Sequence, residues 1–344
     1  MRRFLVKLIF MFLPCRKWRE YFVNNFDFFD LKINTVVTHK YGRIYLPIYV
    51  SSQELCPKEP EIYNADGTPI RTIFFRDKHF IAESPQVSKY YMFDKYNFGL
   101  PIHFYTNSTI RQTMGNPDKK YALFVETESI VPQDYLFFDR HPDLAKEFNA
   151  VFTYSDKLLN KLPNAKFVPF AAGIWNAADI KDDMYKYKTK NVSMLCSHKR
   201  MCELHNYRYN LAHKLKREAL ADTFGTFDGG KYAELSEVLN PYRYTFCLEN
   251  DVTPYYFSER LTSALAAQTI PIYLGATKID KFFNTDGFII INTESDIEQV
   301  LKQCTPEEYE RRLPAILDNY QRAKQYLNVW DFIYEEYLRK DLQK

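Results

Sequence analysis

Between Tyr244 and Asn284 the hydrophobic pattern changes period twice. The run Tyr244–Leu248, YTFCL, is nearly continuous in apolar and aromatic residues, the pattern of a strand buried on both faces. A polar loop follows. Phe257, Leu261, Ala264, Leu265 and Gln268 then recur at three- and four-residue spacing, which predicts a helix with Ser258 as its N-cap and Glu259 and Arg260 in its first turn. A second apolar run, Thr269–Leu274, ends at Gly275. Strand, loop, helix, strand is a βαβ unit. Such units hold ligands at the carboxyl end of a strand and at the following helix start, where this chain has Glu249, Asn250, Ser258, Glu259 and Arg260.

The same kind of pattern runs through most of the chain. Residues 33–50 read as one or two strands, and 56–77, with three prolines and Asp66-Gly67, as a loop or hairpin. Residues 107–120 read as turns. Tyr121–Val125 is a short apolar strand running into Glu126-Thr127-Glu128-Ser129, and 148–170 alternate strand, short helix and strand, the rhythm of a doubly wound sheet. The strand at 191–197 leads into a basic stretch, and Pro306–Lys344 carries a helical stripe of Leu313, Ile316, Leu317, Tyr320, Ala323, Tyr326 and Leu327. The fold class is α/β. A length of 344 residues exceeds what one core usually serves, and the charged, small-residue segment near 175–190 marks a crossing, so the expected division is 1–180, 181–320 and a C-terminal helix at 321–344.

Composition narrows the partners. Hydrophobic residues at 46% and charged ones at 26% are those of a soluble globular protein. A formal charge of +3 argues against nucleic acid and is compatible with an anionic small ligand. The 17% aromatic content must mostly be core. Six cysteines without CxxC spacing read as free thiols in a reducing compartment, hence a cytoplasmic protein. Residues 1–19 flank a short apolar run with Arg and Lys. That run is too short to span a bilayer, leaving either packing on the first domain or peripheral contact with an anionic membrane surface. The oligomeric state is not readable.

Arg260 is the awkward residue. A helix start already carries partial positive charge and disfavours a cation. Two readings stand: a surface ion pair with Glu259 or Asp251, or an anion bound between the guanidinium, free N–H groups and the dipole. The order Glu249-Asn250, Tyr256, Ser258-Glu259-Arg260, Thr269-Ile270-Pro271-Ile272-Tyr273-Leu274-Gly275 resembles the signature of the α-1,3-fucosyltransferase family, glycosyltransferase family 10. The family has Thr and Lys where this chain has Ser258 and Arg260. Outside the motif the likeness is weaker: Arg208 matches an arginine that meets the donor diphosphate, and Glu128, four residues before Pro132, matches the general base, with Glu126 its rival.

The resemblance implies a GT-B fold, two Rossmann-like domains facing each other across a cleft, with the acceptor on the N-terminal side and the nucleotide sugar on the C-terminal side. It implies an inverting transfer of fucose from GDP-fucose to a hydroxyl of a glycan acceptor. In that reading Glu128 or Glu126 is the base, Arg208 and Arg260 clamp the diphosphate, Glu259 meets the fucose or positions Arg260, and Glu249, Asn250, Tyr256 and Ser258 line the donor pocket. Cationic side chains would replace a metal, so no cofactor is required. The lysine-to-arginine change leaves two alternatives open: a transferase with another nucleotide-sugar donor, or a non-catalytic binding protein of the same fold.

Overall fold

A computed structural model of the chain describes residues 31–33, 48–50, 62–63, 67, 69–76, 88–94, 97–111, 113–169, 173–174 and 180–342. The expected membrane-contacting segment 1–19, Cys15 and Cys56 lie outside the described residues, as do most of 33–50 and of the expected crossing before residue 180. The chain packs as two compact units. One comprises 1–82, 89–123 and 146–151; the other 83–88, 124–145 and 152–344.

In the first unit β1 (Leu31–Ile33) and β2 (Ile48–Val50) form an antiparallel pair. A hairpin joins β3 (Ile62–Tyr63) to β4 (Pro69–Arg76), with Gly67 between them at φ +82°, a conformation that glycine adopts without strain. The stretch expected as loop or hairpin is thus more than that. Its second arm continues for eight residues, because the run Thr72–Phe75 has strand-forming side chains and Ile73, Phe74 and Phe75 bury. Parallel to β4 lie β5 (Tyr91–Asp94) and β6 (Ile102–Thr106), and β7 (Lys119–Leu123) continues parallel to β6. The turn region after β6 opens as a 3-10 helix, Asn107–Arg111. Tyr91, Phe104, Tyr105 and Tyr121 are all buried, so the aromatic excess of this half goes into its core.

The chain continues through α1 (Pro132–Arg140), β8 (Ala150–Thr153), α2 (Asp156–Lys161) and β9 (Ala165–Phe167), and the first sheet has strand order β3-β4-β6-β7-β8-β9 with β5 beside β4.

The second unit holds the sheet that matters for function. Its strands are β10 (Lys190–Leu195), β11 (Asp222–Phe224), β12 (Tyr242–Leu248), β13 (Ile270–Leu274) and β14 (Ile289–Ile290), all parallel, in the order β11-β10-β12-β13-β14. Between them run α3 (Glu203–Arg217), α4 (Leu235–Leu239) and α5 (Glu259–Ala266). A core of Val192, Met194, Tyr244, Phe246, Ile270, Ile272 and Leu274 packs against Leu211 and Leu215 of α3. After the sheet come α6 (Ile297–Lys302), α7 (Pro306–Arg311), α8 (Leu313–Ala323) and α9 (Val329–Ile333). Of the C-terminal stripe, Ile316, Tyr320, Ala323 and Tyr326 are buried while Leu313, Leu317 and Leu327 are half-buried.

This order is a doubly wound sheet with its reversal between β10 and β12. Connections leave those two strands in opposite directions, opening a crevice outside their carboxyl ends where α/β sheets bind ligands.

Candidate functional site

The loops at that reversal are Cys196–Cys202, leading from β10 into α3, and Glu249–Ser258, leading from β12 into α5. The predicted βαβ unit is present, with one change: α5 ends at Ala266, and Gln268 closes it at φ +56° instead of extending its face. Its amide explains the burial. Tyr185 N–H donates to Oε1, and Nε2 donates to the carbonyls of Lys181 and Asp182.

Ser258 caps α5, its hydroxyl accepting from Arg260 N–H. Glu249, fully buried, accepts from Ser258 N–H at 2.8 Å and from Ser258 Oγ–H at 2.6 Å. Burial raises its pKa against the opposing pull of Arg260 and Ser258. Gly275 makes this possible. A Cβ there would lie 2.6 Å from Glu249 Cγ and 2.5 Å from the Tyr273 hydroxyl, which accepts from Ala276 N–H at 2.8 Å. Glu249 therefore acts toward any ligand through the helix start that it holds.

Arg260 keeps 30% of its side chain exposed. Its guanidinium donates to Ser258 Oγ at 3.0 Å and stands 3.5 Å from Glu249 and 3.9 Å from Glu259. Burial lowers its pKa, but the carboxylates of Glu259 and Glu249 more than offset this and the net shift is upward. The ion-pair partners are thus Glu259 and Glu249; the expected alternative, Asp251, is not among its contacts.

Arg208 and Asn250 meet deeper in the crevice. Arg208, buried on α3, donates to the Leu248 carbonyl at 2.7 Å and to Asn250 Oδ1 at 3.3 Å. Burial, and then the charge of Arg260, lowers its pKa to about 10. His205 lies 2.9 Å from the same Asn250 oxygen. Tyr256 is buried with its ring 4.6 Å from that of Tyr154, whose hydroxyl pairs with Tyr135. Arg208, Glu249, Asn250, Tyr256, Ser258, Glu259 and Arg260 thus belong to one compact unit.

Glu126 and Glu128 belong to it as well, on the loop after β7. Ser129, next to Glu128, donates from its hydroxyl to the Asn250 carbonyl at 3.0 Å, tying that loop to the end of β12. Glu128 points outward, 44% exposed, and pairs with Lys157 at 3.4 Å. Glu126 differs: its negative charge bears on both Arg260 and Tyr256. Ser129 and Tyr154 carry no local sequence signal, since both act through contacts distant along the chain. Among the described residues no group of His, Cys, Asp and Glu is arranged to hold a metal.

Residues 185–338 match the family model for glycosyltransferase family 10 (fucosyltransferase), C-terminal part. Over this segment the chain is similar to the C-terminal part of glycosyltransferase family 10. The segment contains β10 to β14 and every donor-side residue named above. Among solved structures, an α1,3-fucosyltransferase with GDP shares 15% identity over 82% of this chain and 95% of its own, with a TM-score of 0.49. The same enzyme type with GDP-fucose gives 15% identity, the same coverage and a TM-score of 0.45. Anabaena HepE in complex with UDP-glucose gives 11% identity over 71% of this chain and 78% of its own, with a TM-score of 0.46. No curated protein matches. No described helix is long and apolar enough to cross a membrane.

Proposed function

We propose that the chain moves fucose from GDP-fucose to a hydroxyl of a glycan acceptor with inversion at the anomeric carbon. The observation that carries this reading is the cation at the start of α5. Arg260 is held by Glu249 and Ser258 yet keeps solvent exposure at the reversal of a parallel sheet, inside the segment that matches the family 10 model. A diphosphate there would meet a guanidinium, helix N–H groups and the dipole together.

In the transfer, a carboxylate takes the proton from the acceptor hydroxyl as its oxygen attacks the anomeric carbon. The bond from that carbon to the diphosphate breaks, and GDP leaves with the electron pair, its charge balanced by Arg260. Glu128 is the base. It faces solvent, where an acceptor arrives, whereas the charge of Glu126 bears on Arg260 and Tyr256. Arg208 braces Asn250 and the end of β12 rather than reaching the diphosphate directly, and Asn250 and Tyr256 line the donor pocket. Side-chain cations take the place of a metal. The protein acts in the cytoplasm, with residues 1–19 as a peripheral contact to anionic lipid.

A second reading, another nucleotide-sugar donor, is favoured by Arg260 itself, since a planar fork and a lysine ammonium do not hold phosphates alike. Calorimetric titration with GDP-fucose beside UDP- and other GDP-sugars decides between them. Preferential binding of GDP-fucose is expected, and tighter binding of a different nucleotide sugar would transfer the assignment to it.

A further inference from the structure

The partners of Asn250 fix which end of its amide faces which way. Met201 N–H donates to His205 Nδ1 at 3.1 Å. A neutral imidazole has one ring proton, so with Nδ1 accepting, the proton is on Nε2. That nitrogen lies 2.9 Å from Asn250 Oδ1, and Arg208 Nη2, which can only donate, lies 3.3 Å from the same oxygen. Two donors converging on one atom require it to be the carbonyl oxygen. The Nδ2 amide is then the limb turned away from α3. The backbone carbonyl of Asn250 is held as well, by the Ser129 hydroxyl at 3.0 Å and the Cys202 thiol at 3.5 Å.

We propose that His205 is a positioning residue which, by donating from Nε2 to Asn250 Oδ1, makes Asn250 present an N–H donor rather than a carbonyl acceptor to the bound nucleotide sugar. The inference rests on the donor-site reading above and adds to it the residue that sets the hydrogen-bond polarity of the pocket. The chemistry fits, because the phosphate, ring and glycosidic oxygens of a nucleotide sugar are acceptors. Of the two groups on this oxygen, His205 makes the shorter contact, 2.9 Å against 3.3 Å for Arg208. The strong bond of Arg208 goes to the Leu248 carbonyl at 2.7 Å, and its bond to Asn250 is the longer one. Burial, followed by the charge of Arg208, lowers the His205 pKa to about 4, so the ring stays neutral near pH 7.

The test has two arms. In the first, nitrogen NMR of the full chain with labelled histidine reads the tautomer without any ligand. His205 should be the neutral Nε2–H form, and Asn250→Ala should move its ring signals. An Nδ1–H tautomer, or signals that Asn250→Ala leaves in place, would overturn the proposal. The second arm is steady-state kinetics with GDP-fucose. His205→Gln, whose amide can donate to the same oxygen, should keep KM within threefold of wild type. His205→Ala should raise KM at least tenfold with a smaller change in kcat. Equal KM values for the two variants would contradict the positioning role. Wild-type protein that releases no GDP would instead contradict the transferase reading, and the ring-nitrogen result then decides the orientation by itself.

Discussion

Arg260 sits where a helix disfavours positive charge, and two carboxylates balance it. Glu259 lies on its own turn, and Glu249 comes from the strand before. Removing the guanidinium should therefore cost donor affinity. Arg260→Ala is expected to weaken GDP-fucose binding by about 1.5–3 kcal/mol, as for one charge-assisted contact, with calorimetry as the check; unchanged affinity would reduce Arg260 to an internal ion pair. The two loop carboxylates should separate cleanly. Glu128→Gln should abolish transfer and spare donor binding, whereas Glu126→Gln should act on donor affinity through Arg260. Full turnover in Glu128→Gln would hand the base role to another group. At this scale the sequence made Ser258 and Arg260 legible, because capping and first-turn positions follow from local spacing. It could not show that Glu249 is buried. A carboxylate just past a strand reads as an exposed loop residue, and the groups that enclose it, Ser258 and Gly275, come from elsewhere along the chain.

The unit β12–α5–β13 was legible as an element for the same reason: near-continuous apolar runs and a three-to-four-residue repeat are local signals. What was not legible is how the loop after β7 meets it, since the Ser129-to-Asn250 bond joins residues 121 apart. The glycine ending β13 ties the two levels together. It leaves room for Glu249, and a methyl group added there would collide with Glu249 and with the ring of Tyr273. Gly275→Ala should then push Glu249 away from Ser258, lowering stability by about 1–3 kcal/mol for overpacking and reducing GDP-fucose affinity with it. Urea unfolding and titration of the same sample test both, and an unaltered urea midpoint with wild-type affinity would show that Glu249 does not depend on that space.

Across the whole molecule, each compact unit buries a neutral histidine. His103 in the first lies among Phe74, Phe98 and Tyr105, and burial lowers its pKa to about 4; His205 in the second is lowered to about 4 by burial and Arg208. Both would titrate near 6.5 when unfolded. The unfolded chain therefore binds protons that the folded one refuses, so stability falls as pH drops from about 6.5 toward about 4. At pH 5 the loss should be about 2 kcal/mol for each histidine, read as a lower melting temperature than at pH 7.5; a melting temperature that rises on acidification would contradict the buried neutral state of both. The α/β class and the second sheet were readable from the strand–helix alternation. The reversal between β10 and β12, which locates the crevice, was not, because strand order is decided by packing rather than by local pattern.

The central claim is transfer itself, and the most direct measurement is release of GDP from GDP-fucose by the full chain, with and without a panel of glycan acceptors, beside Glu128→Gln. The expected result is slow release alone, a rate raised many-fold by at least one acceptor, and loss of that increase in the variant. Tight GDP-fucose binding without acceptor-dependent GDP release would contradict it.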